Sequence, residues 1–199
     1  GSSASSWRFC SNRPRGRPRA QPRIRRAVAS APRMDAWLVP DYGYGAAGAA
    51  VLAQMRALAR AGTPVVGTSR YATGTLAGLT AVTANESEAL EAAGVQDAEQ
   101  AGRLLRSRLK PRRALLLTRG NLGMLCFDGP GAPERIVASG SREAVDVTGA
   151  GDTVCAVFTL ALAAGAMARE AARLANAAAG EVVMRPGAAT LSPKELVLA

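Results

Sequence analysis

The chain has 199 residues, 48% of them hydrophobic but only 4% aromatic, which suits one domain with a core of Ala, Val and Leu. Its formal charge of +10 is unevenly spread: residues 1–34 hold nine arginines and no acid, and the remainder carries 16 basic against 15 acidic residues. A neutral body gives no ground for a nucleic-acid-binding domain, and the absence of histidine excludes Ser-His-Asp and Cys-His catalysis and His-ligated metals.

In chain order, residues 1–34 are rich in Arg, Pro and Ser without apolar periodicity and are expected to be a disordered tail. Two readings of that tail stay open, an electrostatic arm for an acidic partner and a merely solvated run. A domain is expected over residues 35–199. Residues 35–40 (DAWLVP) form a short apolar run, a buried strand, followed by the loop DYGYG at 41–45. Helical spacing over 46–61 stops at Gly62. Strands are expected at 64–68 and 79–83, the second running to Asn85, and helices over Glu86–Ala93 and Ala98–Leu109. Strands at 113–118 and 123–127 flank a turn, and 135–138 reads as one more strand. Two Ala-rich helices follow, at 152–164 and 166–184, then a last helical turn at Pro193–Leu198. Strands alternating with helices predict an α/β fold with a mostly parallel sheet, whose ligands bind where strand ends lead into helices. No run of eighteen apolar residues is free of charge or break, so no membrane span is expected. Three scattered cysteines, Cys10, Cys126 and Cys155, suit a reducing cytoplasm rather than a disulfide framework or a zinc site.

The richest stretch is DVTGAGDT at 146–153, two glycines and an alanine leading into a carboxylate and then a long apolar segment. This is a loop feeding a helix N-terminus, which presents unpaired N–H groups and the positive end of a dipole to an anion. The N–H groups of Gly149, Ala150, Gly151 and Asp152 can cradle the charge of a phosphoryl group in transfer. Asp152 is then either a general base for an attacking hydroxyl or a cap for its own helix.

DVTGAGDT, with a small-residue helix and LANAAA at 174–179 behind it, resembles the C-terminal signature of the ribokinase-like, or PfkB, carbohydrate kinases. That resemblance implies a three-layer α/β/α sandwich with a mostly parallel sheet, in which Gly149, Ala150 and Gly151 form the anion hole and Asp152 is the catalytic base. NESE at 85–88 is similar to the family's N-x-x-E element, so that Glu88 organises magnesium through water and Asn85 lies near the phosphates. Read by itself, NESE is an Asn cap on an acidic helical turn. Thr118 and Gly120, with Gly123 after them, resemble the T-x-G loop bordering the nucleotide; read alone, this is a tight hairpin turn. Asn176 falls where the family places a residue beside adenine. GAATLSP at 187–193 resembles the closing segment, and Asp146 and Thr148 with the loop near Gly187 border a monovalent cation such as potassium in several relatives.

Within the family, DYGYG at 41–45, SRY at 69–71 and TAVTAN at 80–85 are most similar to the kinase domain of heptose-7-phosphate kinases, which are often fused to an adenylyltransferase. The implied reaction moves the γ-phosphate of ATP, with Mg2+, to a sugar-phosphate hydroxyl; the alternative is a truncated, catalytically incompetent remnant that binds nucleotide or a partner subunit. The resemblance covers residues 35–199. The sugar-binding N-terminal part and the lid of the family have no counterpart in residues 1–34, and Ala84 and Gly67-Thr68 depart from the family pattern. Expected partners are a nucleotide and a sugar phosphate, without membrane or nucleic acid, and a homodimer stays open.

Overall fold

The structure is a computed structural model that describes residues 20–140 and 145–198. Residues 1–19 of the expected tail, Cys10 included, lie outside the described residues.

Among the described residues six strands form one sheet in the order of the chain: β1 (Trp37–Asp41), β2 (Val65–Ser69), β3 (Ala81–Asn85), β4 (Ala114–Thr118), β5 (Met124–Phe127) and β6 (Glu134–Ile136). β1 to β4 pair in parallel, and β5 and β6 then add as antiparallel strands. The expectation of a mostly parallel sheet therefore holds for β1–β4, and a hairpin finishes it. The central strands are apolar runs, because a sheet covered on both faces needs apolar side chains at every position. Leu115 and Leu117 of β4 enter one core and Ala114 and Leu116 the other, as strand alternation requires.

The first core is closed by α2 (Ala49–Arg60), α3 (Glu86–Ala93) and α4 (Ala98–Leu109), through Val51, Leu52, Met55, Ala89, Leu105 and Leu109. The second is closed by α5 (Ala150–Ala163) and α6 (Ala168–Val182), through Val154, Phe158, Leu162, Ala171 and Ala175, with α7 (Pro193–Leu198) alongside. Small residues let α5 and α6 lie close to the sheet, which is how a chain with 4% aromatic residues fills two cores.

The tail is corrected in part. Ala20–Ser30 form helix α1, not a structureless run. Ile24 and Val28, one turn apart, pack against the first core, while Arg23, Arg25 and Arg26 stay exposed. Two apolar contacts in eleven residues are too few to register against the arginines, and the helix is held by tertiary packing on α2.

The turn from β4 to β5 is a short 3-10 helix, Gly120–Leu122, closed by Gly123 at φ +82°. A Cβ on Gly123 would lie 2.0 Å from the Ile136 carbonyl oxygen, so β6 can approach only a glycine there.

Candidate active site

The carboxyl ends of β1, β2, β3 and β4 converge with the N-terminus of α5 on a cleft of about 160 Å³. β3 and the start of α3 supply Thr83, Asn85 and Glu88, and β4 supplies Thr118. α5 supplies Gly151, Asp152 and Cys155; β1 and β2 contribute Asp41, Tyr42, Thr68 and Arg70. The volume is below the roughly 300–1,000 Å³ usual for small-molecule sites, so the cleft is too small to enclose a whole nucleotide.

Gly149, φ +82°, is the N-cap residue of α5, and no side chain caps the helix. The N–H groups of Gly151 and Asp152 have no acceptor among the described residues, while the Ala150 N–H donates to the Val147 carbonyl at 3.3 Å. The carboxylate of Asp152 does not cap its own helix. It accepts a 2.7 Å hydrogen bond from the Tyr42 hydroxyl, across the cleft from the end of β1. Of the two roles open to Asp152, the helix cap is thus unused, and the carboxylate faces the cleft.

Tyr42 is placed by the turn after β1. Asp41 accepts from the Gly43 N–H and the Ser69 hydroxyl, both at 3.0 Å, which ties the DYGYG loop to the end of β2. The hydrogen bond to Asp152, then burial and the carboxylate's charge, push the Tyr42 phenol from its ordinary 10.0 up to about 12. Because the folded value is raised, the associated stabilisation is complete below about pH 10 and is lost as pH rises toward 12. Replacing Tyr42 with Phe is expected to remove that alkaline slope from the stability profile and the highest-pH step from the ultraviolet tyrosine titration. A variant that retains the step would disprove the contact.

Asn85 and Glu88 line the cleft and also cap α3. The Asn85 side chain accepts from the Glu88 N–H at 2.8 Å, and Glu88 Oε2 accepts from the Asn85 N–H at 3.0 Å. The cap reading of NESE is therefore satisfied, and Glu88 Oε1 is left without a hydrogen-bond partner among the described residues. Burial pushes the Glu88 carboxyl above its usual value, against the opposing pull of the Asn85 hydrogen bonds. No group of three or more His, Cys, Asp or Glu side chains that could hold a metal occurs among the described residues. A single carboxylate with one unengaged oxygen among the described residues, on a residue that lines the cleft, suits an ion that keeps most of its waters, as magnesium does. Cys155 lies 3.0 Å from the Thr83 hydroxyl on the cleft floor, and burial raises its thiol, so it is a neutral wall rather than a nucleophile.

Other expected site residues lie apart from the cleft. Gly120 and Gly123 shape the β4–β5 turn next to Thr118. Asn176 on α6 is buried and donates its amide to the Val137 carbonyl at 2.8 Å, holding the chain after β6. Asp146 accepts from the Thr148 N–H at 2.8 Å and the Gly187 N–H at 3.0 Å, so Asp146, Thr148 and the Gly187 loop do meet, beside the start of α5. Thr148 first, then Gly187, hold the Asp146 carboxyl below its usual value. Asp146→Ala is expected to speed amide hydrogen exchange at Thr148 and Gly187 while the melting temperature barely moves, since the side chain is at the surface; unchanged exchange would refute the link.

Tyr42, Arg70, Thr68 and Asp41 are site-lining residues to which sequence reasoning assigned no role. The signal was present in DYGYG and SRY, but nothing local says that residue 42 reaches residue 152.

A sequence profile of the pfkB family carbohydrate kinases matches residues 45–195. The chain belongs to that family. Among curated relatives, the bifunctional protein HldE of Granulibacter bethesdensis is 37% identical over 170 residues, covering 80% of this chain and 35% of the relative. HldE of Erwinia tasmaniensis is 40% identical over 187 residues, covering 88% of this chain and 37% of the relative. This pfkB-family chain thus spans little more than a third of the length of those relatives. Arabidopsis thaliana ribokinase, solved with ribose and ATP, matches with a TM-score of 0.65 at 23% identity over 89% of this chain and 57% of that one. That likeness establishes the fold: ribokinase-like α/β, as the signature implied. No helix among the described residues is long and apolar enough to cross a membrane.

Proposed function

We propose that this pfkB-family chain carries the phosphoryl-transfer end of an ATP-dependent kinase acting on a sugar phosphate of the heptose-7-phosphate kind. The observation that supports this most is the uncapped N-terminus of α5, with two open N–H groups and the Asp152 carboxylate on one cleft. In this reading the Gly149–Asp152 turn receives the γ-phosphate and Asp152 takes the proton of the attacking hydroxyl. Tyr42 holds Oδ1, which directs Oδ2 to the acceptor. Glu88 Oε1 orients the hydration shell of Mg2+, and the ion would supply charge neutralisation at the phosphates. The nucleotide runs from Thr118 past Gly120 and Gly123 toward α6, where Asn176 keeps its side-chain oxygen for adenine. Asp146 and Thr148 hold the loop that a potassium ion would share.

The heptose assignment rests on kinship with proteins named HldE and on the DYGYG and SRY segments. Calorimetric titration with Mg·ATP, followed by an ADP-release assay over a panel of sugar phosphates, tests it. Binding with turnover on a heptose 7-phosphate is the expected result. Binding without turnover on any sugar favours a nucleotide-binding chain that needs a partner, and absence of nucleotide binding overturns the kinase reading.

A further inference from the structure

The cleft that is to hold a phosphoryl group is lined by three carboxylates, Asp41, Glu88 and Asp152, and among the described residues by one cation, Arg70. Arg70 is the residue just past the end of β2, and its N–H donates to the Asp41 carbonyl at 3.2 Å, so its backbone is fixed to the neighbouring strand end. Its guanidinium lies over the Tyr71 ring, 5.7 Å from the centroid, and its charge acts on the Glu88 carboxyl. None of the ion pairs among the described residues includes it. By contrast, Arg119, Arg169, Arg173 and Arg185 close ion pairs with Glu86, Asp128, Glu134 and Glu195, and the Arg56 guanidinium is taken up by the Ala77 and Thr75 carbonyls. A polyanion entering a cleft with three carboxylates meets repulsion, which the open N–H groups of Gly151 and Asp152 offset only in part. A planar, permanently charged fork with no ion pair among the described residues supplies what is lacking, because it can take two phosphate oxygens at once.

We propose that Arg70 is the phosphate clamp of this cleft: its guanidinium grips a terminal phosphate group presented to the N-terminus of α5. The role deepens the kinase reading and rests on it for the identity of the ligand. The terminal phosphate has two sources, the γ-phosphate of the nucleotide and the phosphate already on the sugar, and the same chemistry serves both. Stacking on Tyr71 restricts the guanidinium in the free protein, which lowers the ordering cost when the phosphate arrives.

The test compares the full chain with Arg70→Gln and Arg70→Lys by calorimetry, using Mg·ATP, Mg·ADP, ribose 5-phosphate and inorganic phosphate as probes. Arg70 is exposed, so melting curves should show all three proteins equally folded. Arg70→Gln is expected to lose on the order of 10- to 100-fold in affinity for Mg·ATP, with Mg·ADP nearly unaffected. Arg70→Lys should recover part of the loss, since it keeps the charge without the fork. A loss that falls on ribose 5-phosphate instead upholds the clamp and assigns it to the acceptor's phosphate. Equal affinity of the parent chain and Arg70→Gln for every probe overturns it. If the parent chain binds neither nucleotide, the kinase reading fails, and the clamp is judged on ribose 5-phosphate and inorganic phosphate: binding that depends on Arg70 sustains it, and its absence overturns it.

Discussion

Asp152→Asn is expected to lower the rate of phosphoryl transfer by about 10²–10⁴-fold while Mg·ATP affinity stays close to that of the parent chain. The substitution keeps the side-chain shape, and the amide oxygen can still accept from the Tyr42 hydroxyl, which now spans 2.7 Å to Oδ1. What it removes is the capacity to take a proton. The α5 N-terminus and its open N–H groups are backbone features and do not change. Steady-state ADP release and calorimetry on the same preparation check both halves, and an unchanged rate would reject Asp152 as the base. A parallel loss of nucleotide binding would also count against it, because it would mean that the carboxylate organises the phosphate pocket rather than the acceptor.

Gly123→Ala is expected to destabilise the fold by about 3 kcal/mol, from a strained backbone and an overpacked contact together. For a domain of this size that lowers the melting temperature by roughly 6–12 °C. Gly123 sits at φ +82° and ψ −132°, which L side chains rarely adopt, and its missing Cβ is where the Ile136 carbonyl and the Ala138 amide come within 2.0 and 2.7 Å. Gly120→Ala is the control. Its φ is +55° and nothing lies within 4 Å of the added Cβ, so the cost is about 1 kcal/mol of left-handed backbone strain. Thermal unfolding of the two variants separates a glycine required by packing from one required by its backbone conformation alone. If Gly123→Ala melts no lower than Gly120→Ala, the packing account is wrong.

The comparison between these two glycines illustrates how much of the site could be read from residues in order. TRG and the following Leu-Gly-Met announced a tight turn, and a turn stands there, but which glycine is compressed depends on β6, which arrives later in the chain. The Asn85 cap was legible, because such a cap needs only a spacing of three, whereas the place of Asn85 and Glu88 on the cleft depends on the strands that surround it. Helix α1 was not legible: Ile24 and Val28 carry meaning only once α2 offers them a surface. Asn176 could be placed on a helix from its neighbours, yet its amide is spent on the Val137 carbonyl, a partner 39 residues away.

Local chemistry alone determined the alternation of strands and helices, the glycine-rich entry to α5 and the family, since each rests on residues within a few positions of one another. The tertiary structure decided which charges share the cleft. Tyr42 and Asp152 are 110 residues apart and 2.7 Å from each other, and Arg70 joins them because β1 and β2 end side by side in a parallel sheet. Strand order and register are set by the burial of two apolar faces at once, a condition on the whole chain that no short segment can express.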